Sequence, residues 1–127
     1  MKRIMTVAVA IIGVFLLSAC GNKGYTDINN DELKDMLANH PEYQYVDVRT
    51  SQEYYEEHVV GFTILIDYYK LEDDYSLLDN LDKDVPVVIM CNSGNRSASA
   101  AEIFVDEGFL TVYNLENGIQ GWDGETE

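Results

Sequence analysis

Apolar residues along this chain alternate between helically spaced runs and short continuous blocks. Leu33, Met36 and Leu37 recur at helical spacing behind Asn29 and Glu32, which stand three apart as in a capping box, and Pro41 ends the run. Tyr45–Val48 and Phe62–Ile66 are short blocks with little polarity, as strands covered on both faces require. Between them Thr50 and Glu53 form a second capping box, predicting a short helix through about Glu57. Residues 68–81 are acidic with Leu71, Tyr75, Leu77, Leu78 and Leu81 interspersed, which predicts a helix with a frayed start. Val85–Met90 is the most apolar block after the N-terminal region and is the predicted central strand. Beyond Ser97, Ala98, Ala100, Ala101, Ile103, Phe104 and Val105 describe a helix closed by Gly108. Leu110–Tyr113 is the last predicted strand, and Gly118–Gly124 a glycine-punctuated tail around Trp122. Strands alternating with helices predict an α/β domain with a mainly parallel sheet.

The N-terminus follows a different rule. Lys2 and Arg3 precede the apolar run Val7–Leu17, which is shorter than the roughly 20 residues a membrane-crossing helix needs. A basic start, a short apolar stretch and small residues before a break describe an export signal. Leu17-Ser18-Ala19-Cys20 resembles the lipobox of bacterial lipoproteins. The expected organisation is therefore a signal peptide at residues 1–19, a lipidated Cys20 with a Gly-rich tether through residue 25, and one domain over residues 26–127. Such a protein is anchored to a membrane of the cell envelope through the lipid on Cys20 and faces away from the cytoplasm.

Charge narrows the function. The 127 residues hold 8 Lys+Arg against 23 Asp+Glu, a formal net charge of −15, which excludes a nucleic-acid binder held by phosphate contacts. Two cysteines, Cys20 and Cys91, are too few for a disulfide framework. With Cys20 lipidated, Cys91 is the only free thiol, and it follows directly from the predicted central strand, at the end of a parallel sheet where ligands bind. The loop Asn92-Ser93-Gly94-Asn95-Arg96 leads to Ser97 at the expected start of the next helix. A loop curling into a helix N-terminus aims several N–H groups inward and forms an anion cradle. A thiol at its focus ionises more readily, and Arg96 adds a cation at the rim. A buried structural cysteine would need neither the Gly/Asn/Ser loop nor the arginine.

Cys91-Asn-Ser-Gly-Asn-Arg-Ser97 closely resembles the active-site loop of the rhodanese family. Tyr45-Val-Asp-Val-Arg49, Glu53 and His58-Val-Val-Gly61 resemble the family's first signature, and Val112–Ile119 with Trp122 its C-terminal one. Val60, Phe62 and Asn117 depart from the usual residues, all outside the loop. The resemblance implies a rhodanese-like α/β fold, with a five-stranded, mainly parallel sheet flanked by helices. It also implies a sulfurtransferase in which Cys91 takes sulfur from a small anionic donor such as thiosulfate or a persulfide. The Cys91 persulfide then passes that sulfur to cyanide, a thiol or a protein acceptor. Asn92, Ser93, Gly94, Asn95, Arg96 and Ser97 would bind the donor without a cofactor. No Cys/His cluster has metal-ligand spacing, so no metal is expected, and the expected state is a monomer. Asp47 and Arg49 are expected to brace the loops, and His58 to be structural more than basic. Two alternatives stay open: a phosphatase or arsenate reductase with the same cysteine, loop and arginine, or a non-enzymatic interaction module. Four residues separate Cys91 from Arg96, whereas the similar phosphatase loops carry five, and the tighter ring favours a single terminal sulfur over a phosphoryl group.

Overall fold

The computed structural model describes residues 23–127, so the expected signal peptide and the lipidated Cys20 lie outside the described residues. Tyr25, at the expected end of the tether, already packs against the core.

Both predicted capping boxes form. Asn29 accepts from the Glu32 amide at 2.8 Å while the Glu32 carboxylate accepts from the Asn29 amide at 2.9 Å, starting helix α1 (Asn30–Asn39). Thr50 and Glu53 do the same for α2 (Ser51–Glu56). Each box satisfies two of the amides that a helix start leaves without partners. Strand β2 (Gln44–Asp47) precedes α2, and a two-residue strand, β3 (Ile64–Leu65), follows it. Phe62, placed by its hydrophobicity in that strand, instead precedes it as a fully buried core residue.

The helix expected over residues 68–81 is broken. Helix α3 covers only Tyr68–Leu71, and a separate 3-10 turn covers Tyr75–Leu78. An aspartate caps the start of each piece: the Asp67 side chain accepts from the Tyr69 amide at 2.9 Å and Asp74, between the two pieces, from the Ser76 amide at 3.1 Å. Each offers the backbone a local turn in place of a continuing helix.

Strand β4 (Val87–Met90) leads to α4 (Asn95–Asp106), and β5 (Val112–Leu115) lies two residues later than Leu110–Tyr113 had predicted. With β1 (Thr26–Ile28), which has no periodic signal of its own, the strands form one fully parallel sheet in the order β1-β5-β4-β2-β3. The most apolar block is therefore the middle strand, as expected. Its side chains alternate between two cores. Val87, Ile89 and Cys91 face Ala100, Ala101 and Phe104 of α4; Val88 and Met90 face the side holding Leu33 of α1 and Phe62. Complete burial of a side chain such as Phe104 or Leu33 contributes about 1.5–3 kcal/mol. That packing holds α4 against the end of β4, where the chain passes from strand to helix at Cys91.

Candidate active site

Cys91 is 1% exposed and sits directly beyond β4. Gly94 turns the chain with φ 101° and ψ −11° and caps α4, whose first helical residue is Asn95. The helix thus begins two residues before Ser97, and Arg96 and Ser97 belong to its first turn. The Gly94 amide donates to Cys91 Sγ at 3.0 Å. The Ser97 hydroxyl, with a single hydrogen, donates either to Sγ at 3.3 Å or to the Gly94 carbonyl at 3.2 Å. Burial pushes the thiol toward its neutral form. Hydrogen bonds from the Ser97 hydroxyl and from the amides of Ser97, Gly94 and Ser93 outweigh that and hold its pKa below the ordinary thiol value. Asn92 is half-buried, and Ser93 and Asn95 are exposed at the mouth.

A second loop supports the first from behind. After β5, the Ile119 amide donates to the Cys91 carbonyl at 2.9 Å and the Gln120 amide to the Asn92 carbonyl at 3.0 Å. Gly118 permits this approach: at φ 62°, a β-carbon there would lie 2.6 Å from the Cys91 carbonyl oxygen. Loop carbonyls therefore point back into the protein and loop amides forward to the sulfur.

Arg96 reaches across to α2. Its Nη1 and Nη2 donate to the two oxygens of Glu53 at 2.8 and 2.9 Å, a bidentate fork. The guanidinium also lies 5.6 Å from the ring centroid of Tyr69. The arginine, foremost, and Thr50 hold the Glu53 carboxyl at about 2, and the same pairing pushes Arg96 up. Glu53 has no role in the sequence reading beyond a helix cap and a signature position. No periodicity links residues 43 apart, and Arg96, expected to face the donor, is instead held by Glu53.

Asp47 and Arg49, which precede α2, form a buried pair. Arg49 donates from Nε to both Asp47 oxygens at 3.0 and 3.1 Å, and from Nη2 to Asp47 at 2.7 Å and to the Glu57 carbonyl at 2.7 Å. The pair ties the end of β2 to the end of α2. His58 stacks on Tyr54 with ring centroids 4.0 Å apart, and its Nδ1 lies 3.0 Å from the Tyr54 carbonyl oxygen. Its Nε2 lies 3.5 Å from Glu127, beside the backbone pairing of His58 with the C-terminus.

A thiolate-forming cysteine ringed by amides, beyond the middle strand of a parallel sheet, equips this molecule for nucleophilic attack through sulfur. Residues 29–125 match the family described as Rhodanese-like domain, and the chain belongs to that family. It is 38% identical over 80 residues to Thiosulfate sulfurtransferase GlpE of Pseudomonas entomophila, covering 61% of this chain and 67% of that one. It is 32% identical over 101 residues to YtwF of Bacillus subtilis, covering 80% of this chain and 93% of the relative. Among solved structures, a Rhodanese-like domain protein from Staphylococcus aureus superposes with a TM-score of 0.67 at 31% identity. That match covers 79% of this chain and 93% of the other.

Proposed function

We infer that this protein is a sulfurtransferase that moves a sulfane sulfur from a donor such as thiosulfate to a thiophilic acceptor through a persulfide on Cys91. The observation that carries the reading is the convergence on one buried sulfur, at the start of α4, of the Gly94 amide at 3.0 Å and the Ser97 hydroxyl at 3.3 Å. Membership of the rhodanese-like family and the names of its relatives support the same activity.

The thiolate attacks the outer sulfur of the donor. With thiosulfate, the Cys91 Sγ–S bond forms, the S–S bond of the donor breaks, and its electron pair leaves with sulfite. The terminal persulfide sulfur carries one negative charge, which the loop amides and the α4 N-terminus stabilise as they stabilise the thiolate. An acceptor such as cyanide, a small thiol or a protein thiol then attacks that sulfur, and Cys91 departs as thiolate. This is double-displacement chemistry and draws on no cofactor. Ser97 and Gly94 hold the sulfur, Ser93 and Asn95 line the mouth, and Arg96 fixes the loop to α2 through Glu53. Asp47 and Arg49 keep α2 in place, and His58 has a structural part.

We place the protein, as a monomer, in a bacterial envelope, anchored by lipid on Cys20. The lipobox-like Leu17–Cys20 and the short apolar run before it support this location.

Intact mass after exposure to thiosulfate tests the chemistry. The wild type should gain one sulfur, lost again on adding cyanide, while Cys91→Ser should gain none and lose more than tenfold in turnover. A Cys91→Ser variant within tenfold of wild type would sink the assignment, since that factor corresponds to only about 1.4 kcal/mol of transition-state stabilisation.

A further inference from the structure

Arg96 is the one cation of the loop, and it is already engaged. Both Nη atoms lie on Glu53 at 2.8 and 2.9 Å, and the guanidinium plane sits against Tyr69. Glu53 is held in its turn, since its Oε1 also accepts from the Thr50 amide at 3.2 Å and the Thr50 hydroxyl at 3.1 Å. The pair is half-buried, with side-chain exposures of 19% and 32%, so solvent does not readily part it. Its net charge is zero. What remains to attract a donor is the amide ring and the end of α4, together equivalent to roughly half an elementary charge. That matches the single charge of a thiolate or persulfide and not the two charges of thiosulfate. The surrounding surface adds repulsion, because the chain carries a net charge of −15.

Beyond the carboxyl end of β3, Leu65, Ile66 and Leu77 line a cleft with Ser51, Asp67 and Lys70. The cleft runs beside α3, whose Tyr69 faces Arg96 and is more than half exposed. Its two charged residues are of opposite sign, and its apolar surface suits an organic group.

We propose that the Glu53–Arg96 fork sets donor specificity: by neutralising the arginine of the loop, it favours sulfane-sulfur donors that bear one negative charge and an organic substituent over dianionic thiosulfate. The proposal rests on the sulfurtransferase reading above. For a thiosulfonate donor, RSO2S⁻, Cys91 thiolate forms a bond to the terminal sulfur. The bond from that sulfur to the sulfonyl sulfur breaks, and RSO2⁻ leaves with the electron pair. Charge is conserved and no other reactant is needed. Glu53 acts through Arg96, as a positioning residue.

Two donors with the same reacting bond separate charge from chemistry: thiosulfate, a dianion, and benzenethiosulfonate, a monoanion. Thiocyanate formation is followed for full-length wild type and Glu53→Gln. Glutamine keeps an oxygen for Thr50, so α2 retains its cap while the positive charge of Arg96 is left uncompensated. A unit charge left uncompensated beside the loop, in partly screened surroundings, changes affinity by roughly threefold per donor charge. KM should therefore fall roughly threefold for benzenethiosulfonate and roughly tenfold for thiosulfate, moving the ratio of the two by about threefold. For wild type alone, raising ionic strength from low to moderate should lower KM for thiosulfate more than for benzenethiosulfonate. This second measurement stands even where Glu53→Gln fails to fold. A ratio unmoved in a folded Glu53→Gln, or a wild-type salt response equal for both donors, overturns the specificity role and leaves the sulfurtransferase intact. No transfer from either donor overturns both readings.

Discussion

Gly94 joins the Cys91 loop to its helix, and Gly94→Ala probes that junction. Its φ of 101° lies where an L side chain costs about 1–2 kcal/mol. A β-carbon there would also overlap the carbonyl oxygen of Glu116, closer than the 3.0 Å that real contacts of this kind keep. That carbonyl is backbone, and its residue is tied to β1 by the Glu116 amide donating to the Ile28 carbonyl at 3.0 Å. Relief must come from the loop, which moves away from β5 and carries the Gly94 amide off Cys91 Sγ. Strain and displacement together give a loss on the order of 2–4 kcal/mol. For a domain of this size that lowers the melting temperature by roughly 10–20 °C. Losing one donor to a developing negative charge costs on the order of 10²-fold in kcat. Thermal unfolding followed by circular dichroism and thiocyanate release from thiosulfate and cyanide measure the two effects. A Gly94→Ala protein that melts within about 2 °C of wild type and keeps its turnover would refute the reasoning, because a close approach to Glu116 cannot then be shaping the loop.

Two other outcomes are open to simple measurement. Ser97→Ala removes the leading hydrogen bond that opposes burial of the thiol, so the pKa of Cys91 should rise. In the proposed reaction the thiolate attacks, so the rising limb of the pH–rate profile should move to higher pH; an unmoved limb contradicts this role. Cys20→Ala should leave the protein unprocessed or in the soluble fraction while wild type sediments with membranes, and unchanged fractionation with an unchanged N-terminus contradicts the lipid anchor.

Local chemistry was legible in the sequence wherever it is enforced over a few residues. Asn29 with Glu32 and Thr50 with Glu53 announced two helix starts, because a capping box closes within one turn. The uninterrupted apolar block ending at Met90 identified the middle strand, since only a position covered on both faces tolerates such a run. Cys91–Ser97 announced an amide cradle for the same reason: a strand, a short loop with one glycine and a helix start bring the amides and the sulfur together within seven residues. Tertiary structure decided the rest. Strand β1 is three residues long and exists through pairing with β5, so no pattern of its own could mark it. The helix expected at residues 68–81 gave way to two short aspartate-capped pieces, from which Leu71 and Leu78 reach the core. Gly118 became essential only because the chain after β5 returns to the loop after β4, its strand neighbour in the sheet. Arg96 could be seen from sequence as a cation, but not as one half of a neutral pair. Its partner stands 43 residues away and becomes a neighbour only when the parallel pairing of β2 with β4 brings the starts of α2 and α4 to the same end of the sheet. Spacing along a chain encodes contacts within a turn or along a strand. Contacts between elements follow from the order of the strands, which no local pattern contains.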